Sequence, residues 1–277
     1  MSLRVGFVLL LLALFAPSLS RAYCRRSSCD GITGTRCTPA DPTDCGVPLW
    51  WPSGCVTYSP WQAPTPDPAV DARHAAALEQ AFARWQAADC GGGRPPRLHV
   101  TRTAAVTCRE HEFHRRGGNA NVIAFHSAWP YRDGHLALTV LSFGAKSGEI
   151  YDADTEFNAP LLEPGHTAGS PEPVALHEAG HFLGLAHSAD PDAVMSGTFH
   201  EGRGARVTLA PDDVAAICAA FPPGPAPTCP GTPRGGLRST CALVPWPTRV
   251  AKALLGVLSN VLATVGRGKT PHADGRL

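Results

Sequence analysis

The segment at residues 177–187 reads H-E-A-G-H-F-L-G-L-A-H and restricts the backbone more than any other part of the sequence. His177 and His181 are four residues apart, so on a helix they lie on one face and can reach the same metal ion. Gly184 can adopt a positive φ, end that helix and turn the chain so that His187 approaches the ion from another side. The segment therefore predicts three nitrogen ligands with a fourth position left for water, which is typical of a catalytic zinc site.

Glu178 directly follows the first of these histidines and is the predicted general base. Bound zinc would lower the pKa of a water molecule to about 7 and polarise a peptide carbonyl. Glu178 would accept the proton of that water and pass it to the departing amine. Incidental histidines on a helix are the alternative, but a chance origin is disfavoured because five specified positions occur together.

The first 22 residues have the pattern of a secretory signal peptide. Arg4 provides the positive charge, residues 5–16 form an apolar run, and small residues precede the expected cleavage point after Ala22. A membrane anchor is the alternative, but it needs about 20 apolar residues, and Pro17 ends this run earlier. We therefore expect a secreted protein, extracellular or, in a Gram-negative bacterium, periplasmic, with no integral membrane span.

The cysteines support an oxidising compartment, since all ten follow the predicted signal peptide. They are Cys24, Cys29, Cys37, Cys45, Cys55, Cys90, Cys108, Cys218, Cys229 and Cys241. No C-x-x-C pair occurs, so disulfides are favoured over a cysteine zinc site, and the sequence leaves their pairing open. The net charge of +1 gives no general attraction for nucleic acid, so no nucleic-acid partner is expected. We also expect a monomer whose partner is a protein or peptide substrate.

The rest of the chain divides by composition. Residues 23–49 are predicted to be a cysteine-rich N-terminal extension, and residues 50–222 the catalytic domain. Residues 223–277 form a Pro- and Gly-rich linker and a C-terminal tail, in which residues 250–265 have apolar residues near helical spacing. That amphipathic helix would either pack on the domain or lie on a membrane surface.

Hydrophobic patterns within the central region predict strands and three main helices. Strands are expected at residues 55–58 and 136–143, and within residues 97–107, 121–126 and 149–157. The first helix begins after Asp67, the second begins near Ser170 and carries the histidine segment, and the third begins at Pro211.

Residues beyond the histidine segment extend its pattern. Ser188 follows the third histidine, and residues 193–196 read A-V-M-S, with Met195 eight positions after His187. With the histidine segment, these features resemble the metzincin zinc endopeptidases and, among them, the matrixin branch. Residues 209–214 are similar to the start of the last matrixin helix. By this resemblance Met195 would lie beneath the metal without binding it, although ordinary core packing is the alternative role of a lone methionine.

The resemblance also implies a fold and a substrate site. The fold would be α+β, a metzincin-like catalytic domain with a twisted, mostly parallel sheet, three main helices and the zinc site at the end of the second helix. An extended substrate would pair with the edge strand that contains Leu136, Ala137, Leu138 and Thr139. Residues 196–204 would form one wall of the specificity pocket.

Two departures from the matrixin pattern concern further metals and a zymogen. Matrixins usually carry a structural zinc and calcium sites, whose pattern is not matched here. Asp152, Asp154 and Glu156 share a predicted strand face and are candidates for a Ca²⁺ site, but we favour solvated strand charges and claim no calcium. Cys45 resembles the cysteine that caps zinc in matrixin propeptides, but its flanking residues differ, so a disulfide is favoured.

These features together predict a secreted zinc-dependent endopeptidase. The first alternative is a catalytically silent metzincin fold that serves as a binding module, and the second is a disulfide-stabilised surface protein in which zinc is structural. Glu178 is retained, and three histidines leave one coordination position free. Both features favour catalysis over the alternatives.

Overall fold

The computed structural model describes residues 23–29, 46–62, 67–107, 113, 120–132, 134–198 and 206–229. Within these ranges the strands are β1 (Cys55–Pro60), β2 (His99–Arg102), β3 (Val122–His126), β4 (Ala137–Phe143) and β5 (Ile150–Asn158). The helices are α1 (Pro68–Gln86), α2 (Ala159–Leu162), α3 (Glu172–Phe182) and α4 (Pro211–Ala220).

The strands form one sheet in the order β2-β1-β3-β5-β4. β1 is parallel to β2 and β3, β3 is parallel to β5, and β4 runs antiparallel to β5 at one edge. The predicted α+β fold with a mostly parallel sheet and three main helices is therefore confirmed. The structure adds the four-residue α2, and it extends β1 through Pro60, whose carbonyl still accepts the Val106 N–H.

The helix α1 packs against α3 on one side of the sheet. Asp67 caps its N-terminus by accepting hydrogen bonds from the N–H groups of Ala69 and Val70, as its position before Pro68 predicts. The Trp85 ring is fully buried, and its Nε1–H donates to the carbonyl of Leu176 at 2.9 Å. Leu176 directly precedes the first histidine of the segment. This contact therefore fixes the position of α3 along α1.

The acidic residues of β5 contradict the prediction of solvated strand charges. Asp152, Asp154 and Glu156 are only 2%, 3% and 5% exposed. Asp154 accepts the Val122 N–H at 2.7 Å, and Glu156 lies 3.2 Å from the ring nitrogen of the buried His126. A pattern of alternating residues in one strand does not reveal that this face is buried.

A β-bulge corrects a second detail of β5. Phe143 is opposite Ile150, but Ser142 is opposite Asp152, so Tyr151 is the additional residue. The bulge shifts the alternation of side chains, so Ile150 belongs to the hydrophobic core, whereas strict alternation would place it on the face of Asp152, Asp154 and Glu156.

Two disulfides connect distant parts of the chain. Cys55 at the start of β1 is bonded to Cys229, and Cys90 after α1 is bonded to Cys218 in α4. Both pairings were open at the level of sequence. The described cysteines are all disulfide-bonded, as the even number predicts.

The described N-terminal residues 23–29 contact the chain that follows α3. The Arg26 N–H donates to the Gly184 carbonyl at 3.1 Å, and the Ala186 N–H donates to the Cys24 carbonyl at 3.0 Å. The predicted signal peptide, Cys45 and the helix at residues 250–265 lie outside the described residues, and the division into domains stays a prediction. None of the helices in the described ranges has the length and apolarity needed to cross a membrane.

Candidate metal centre

The three histidines of the segment converge on one point. His177 and His181 project from α3 and are buried, whereas His187 approaches from the chain beyond the helix. Their Nε2 atoms are 3.0 Å (177 to 181), 3.1 Å (181 to 187) and 3.3 Å (177 to 187) apart. Within the part of the chain that the structure describes, this is the group of three or more His, Cys, Asp and Glu side chains arranged to hold a metal ion.

The backbone fixes the orientation of the two helical imidazoles. The Nδ1 atom of His177 is 2.7 Å from the Val194 carbonyl, and that of His181 is 2.8 Å from the Leu185 carbonyl. A carbonyl oxygen only accepts, so both Nδ1 atoms carry the proton and donate it. Each Nε2 atom therefore directs a lone pair toward the point of convergence, which is the arrangement of a metal-binding histidine with a backbone partner.

The donor set fits a zinc ion. Tetrahedral zinc binds imidazole nitrogen at about 2.0–2.1 Å, which places the nitrogens of its ligands about 3.3 Å from one another. The three observed separations of 3.0–3.3 Å lie near that value. Lone pairs held this close repel each other unless a cation lies among them, so the geometry suits an ion better than a set of neutral histidines.

Gly184 shapes the bend that carries the third histidine. Its φ is +92°, a left-handed conformation that residues with a Cβ rarely adopt. Around it the Gly180 carbonyl accepts the N–H groups of both Leu183 and Leu185, which closes the end of α3. A Cβ at position 184 would also approach Ile150 Cδ1 to 3.2 Å. Backbone conformation and close packing therefore both favour glycine here.

Met195 is buried and lies against Gly180, which stands between the two helical histidines in the sequence. A Cβ built on Gly180 would lie 2.2 Å from the Met195 sulfur, so the glycine allows the two segments to approach. The Asp213 carboxylate holds the turn that contains Met195, because it accepts the N–H groups of Val194 at 2.7 Å and Met195 at 3.0 Å. Burial raises the pKa of the Asp213 carboxyl, although these hydrogen bonds act in the opposite direction.

A second glycine, Gly197, supports His187. A Cβ at this position would lie 2.8 Å from His187 Nδ1. Neither Gly180 nor Gly197 is a ligand, so the ligand pattern does not indicate them, although Gly180 stands inside the histidine segment and Gly197 lies two residues after Met195. Of the predicted pocket wall, residues 196–198 are described and the remainder lies outside the described residues.

Glu178 occupies the helical position after His177 and is buried. Its Oε2 atom accepts a hydrogen bond of 2.6 Å from the Thr139 hydroxyl, which lies in turn 2.9 Å from the hydroxyl of Thr155. The sequence placed Thr139 on the substrate strand and did not predict this contact, because β4 and α3 are far apart in sequence.

The four predicted substrate-strand residues lie at the edge of the sheet. Leu136 directly precedes β4, and the other three begin it: Ala137, Leu138 and Thr139. Among the described strands, β4 pairs with β5 alone. Ala137 and Leu141 belong to the main hydrophobic core on the helix side, which places Thr139 on that same face of the strand and Leu138 on the other.

Comparison with known proteins agrees with this geometry. Residues 110–221 match the family model described as Matrixin. Human matrix metalloproteinase-20 is 42% identical over 77 residues, which are 27% of this chain and 16% of that protein. Metalloendoproteinase 1-MMP of Arabidopsis thaliana is 34% identical over 96 residues, 34% of this chain and 26% of the relative. Matrilysin of Felis catus is 48% identical over 44 residues, 16% of this chain and 17% of the relative.

The matched part of the chain thus spans about a quarter or less of these curated relatives. Residues 110–221, which match the family model, include all of β3, β4, β5, α3 and α4, and with them the three histidines, Glu178 and Met195. The mixed, mostly parallel sheet also fits the matrixin catalytic domain. Over residues 110–221, this chain is similar to the matrixin family.

Proposed function

We propose that this chain is a secreted zinc-dependent endopeptidase. The observation that carries the proposal is the convergence of three Nε2 atoms to within 3.3 Å of one another, with Glu178 on the same helix. The family match adds support, since the relatives are named metalloproteinase, metalloendoproteinase and matrilysin.

The proposed mechanism assigns the metal to His177, His181 and His187. When bound, zinc supplies a Lewis acid that acidifies water and polarises a carbonyl group. Two imidazoles are held by backbone carbonyls and the third by the bend at Gly184, so the ligands are positioned before the ion binds. Three protein ligands leave a coordination position for water, as catalytic zinc requires.

Glu178 is proposed to move the proton. Its carboxylate is buried and held on Oε2 by Thr139, so it is kept in one orientation rather than hydrated in several. It would accept a proton from the attacking water and return it to the nitrogen of the leaving amine. General base catalysis of this kind contributes about 10²- to 10⁴-fold to a rate.

The proposed substrate is a peptide bound in an extended conformation. The backbone of β4 has a described strand partner on one side, and a peptide added along the other side would gain main-chain hydrogen bonds. Pairing of this type accepts internal segments of a chain and is therefore compatible with endopeptidase activity. Secretion is supported by the predicted leader and by disulfides at Cys55–Cys229 and Cys90–Cys218.

The proposal is tested by expressing residues 23–277 under oxidising conditions and measuring cleavage of a peptide library. We expect cleavage that a zinc chelator abolishes and added zinc restores, and a loss of at least about 10²-fold in Glu178→Ala. Cleavage that resists the chelator, or that the variant retains, refutes the mechanism. A wild-type protein that binds zinc and peptides without cleaving them identifies the silent binding module instead.

A further inference from the structure

We propose that Thr139 is a positioning residue for Glu178, so that the strand proposed to bind the substrate also sets the orientation of the general base. This inference rests on the proposed function. Thr139 would then do more than belong to the substrate-binding strand, because its side chain would act through the carboxylate of Glu178.

The direction of the hydrogen bonds follows from the chemistry of the groups. An ionised carboxylate only accepts, so the Thr139 hydroxyl gives its single proton to Glu178 Oε2 at 2.6 Å. The contact of 2.9 Å between the hydroxyls of Thr139 and Thr155 must then have Thr155 as its donor. The hydrogen bonds therefore run from Thr155 in β5 to Thr139 in β4 and on to Glu178 in α3.

The position of the two threonines restricts the motion of these hydrogen bonds. Thr139 and Thr155 are directly opposite each other in the antiparallel β4–β5 pair and project on the helix side of the sheet. Both have β-branched side chains with restricted rotamers, and both are buried. The carboxylate therefore meets a hydroxyl that is itself held in one orientation.

The hydrogen bond between Thr139 and Glu178 matters more because both side chains are buried. Glu178 is as buried as Thr139, and a charged oxygen that loses a hydrogen bond in such a site adopts another orientation or binds another partner. Proton transfer depends on the distance and direction between the base and water, and a displacement of about 1 Å can cost about 10²-fold in rate. Loss of the Thr139 hydroxyl should therefore act on the chemical step more than on substrate binding.

The experiment compares Thr139→Val, which keeps the branched shape and removes the hydroxyl, with Thr139→Ser, which keeps the hydroxyl. We expect Thr139→Val to lower kcat about ten- to a hundredfold, with KM within about twofold of the wild type, and Thr139→Ser to retain kcat within about threefold. Thr155→Val should lower kcat by less than Thr139→Val, because it leaves the hydroxyl that contacts Glu178 in place. Thr101→Val in β2, at the opposite edge of the sheet, is the matched control and should not change kcat.

Two further measurements separate positioning from general damage. In the Glu178→Ala background, Thr139→Val should have no additional effect on the residual rate, because its target is gone. Zinc affinity and thermal stability should also remain close to those of Thr139→Ser. If Thr139→Val does not fold, Thr139→Ala removes the same hydroxyl without adding volume.

The outcomes distinguish this inference from the proposed function. A wild-type protein that cleaves peptides while Thr139→Val matches it, or a loss that appears in KM alone, overturns the positioning role and leaves the protease intact. A wild-type protein without cleavage refutes the proposed function. In that case a crystal structure of Thr139→Val still decides the inference, because an unchanged Glu178 carboxylate overturns it and a rotated one supports it.

Discussion

Two glycines, Gly180 and Gly197, allow other side chains to occupy the space beside the candidate zinc ligands. The missing Cβ of Gly180 makes room for the Met195 sulfur, and that of Gly197 makes room for the His187 ring. The spacing of the histidines in sequence predicts their convergence, because it follows from helix geometry and one turn. The contacts of Gly180, Gly197 and Thr139 are with residues that are not their neighbours in the sequence, so no local pattern predicts them.

Substitution of Gly180 by alanine should destabilise the protein by about 1–3 kcal/mol, because the new Cβ forces Met195 to move in a closely packed core. Urea unfolding of the zinc-free protein measures this loss. Gly134→Ala is the control, since a Cβ there meets no atom within 4 Å. Equal stability of the two variants would show that Met195 has room to move.

The corresponding change at Gly197 should act on metal binding. Gly197→Ala pushes the His187 ring away from the other imidazoles, and we expect zinc affinity to fall about tenfold or more. Competition with a chromophoric chelator provides the measurement. The alanine protein should release zinc at a lower chelator concentration than the wild type, and identical titration curves would contradict the prediction.

At the scale of elements, the hydrophobic patterns predict most strands and helices, but not how neighbouring strands meet. The bulge at Tyr151 depends on the register with β4, and the burial of Asp152, Asp154 and Glu156 depends on the folded surroundings of β5. A single strand contains no information about either. Helix ends are different, because Asp67 and Gly184 act on their own backbone, and both appear at the expected place.

The helix α1 contains a buried histidine that should make stability depend on pH. Burial lowers the pKa of His74, while the nearby Glu163 carboxylate partly opposes the shift, Arg73 adds to it and Asp71 opposes it. The ring also stacks on Phe125, with centroids 4.1 Å apart. The unfolded chain then binds a proton more readily than the folded one, so His74 reduces stability as the pH falls below about 6.5.

His74→Phe should remove that contribution and keep the stacking. We expect the free energy of unfolding of the wild type to decrease between pH 7 and pH 5 by more than that of the variant. Urea unfolding of both zinc-free proteins at several pH values measures the difference. Parallel pH profiles would mean that His74 does not titrate in this interval.

At the scale of the whole molecule, the disulfides join elements that are distant in sequence. The bond Cys90–Cys218 closes 128 residues and ties α4, which carries Asp213, to the end of α1. The bond Cys55–Cys229 closes 174 residues. The number and location of the cysteines predict a disulfide framework, but the pairing depends on the folded arrangement and is not available from the sequence.

Replacing Cys90 and Cys218 together by serine should lower the free energy of unfolding by about 2–5 kcal/mol, mainly because the unfolded chain gains freedom. Thermal and urea unfolding measure the loss. Since α4 supports the turn that contains Met195, zinc affinity should decrease as well. The double serine variant at Cys55 and Cys229 is the control, and it should lose stability with a smaller effect on zinc.

The backbone pairing of Cys24 and Arg26 with the bend at Gly184 and Ala186 has a consequence for the order of folding. Synthesis proceeds from the N-terminus, so residues 23–29 exist long before their partners, and contacts between such distant positions form late. A nascent chain whose α3 has not yet emerged lacks all three histidines. One that has made α3 still needs residues 23–29 to pair with the bend. We therefore expect the three imidazoles to converge only after residues 184–187 have been made and have paired with residues 24–26.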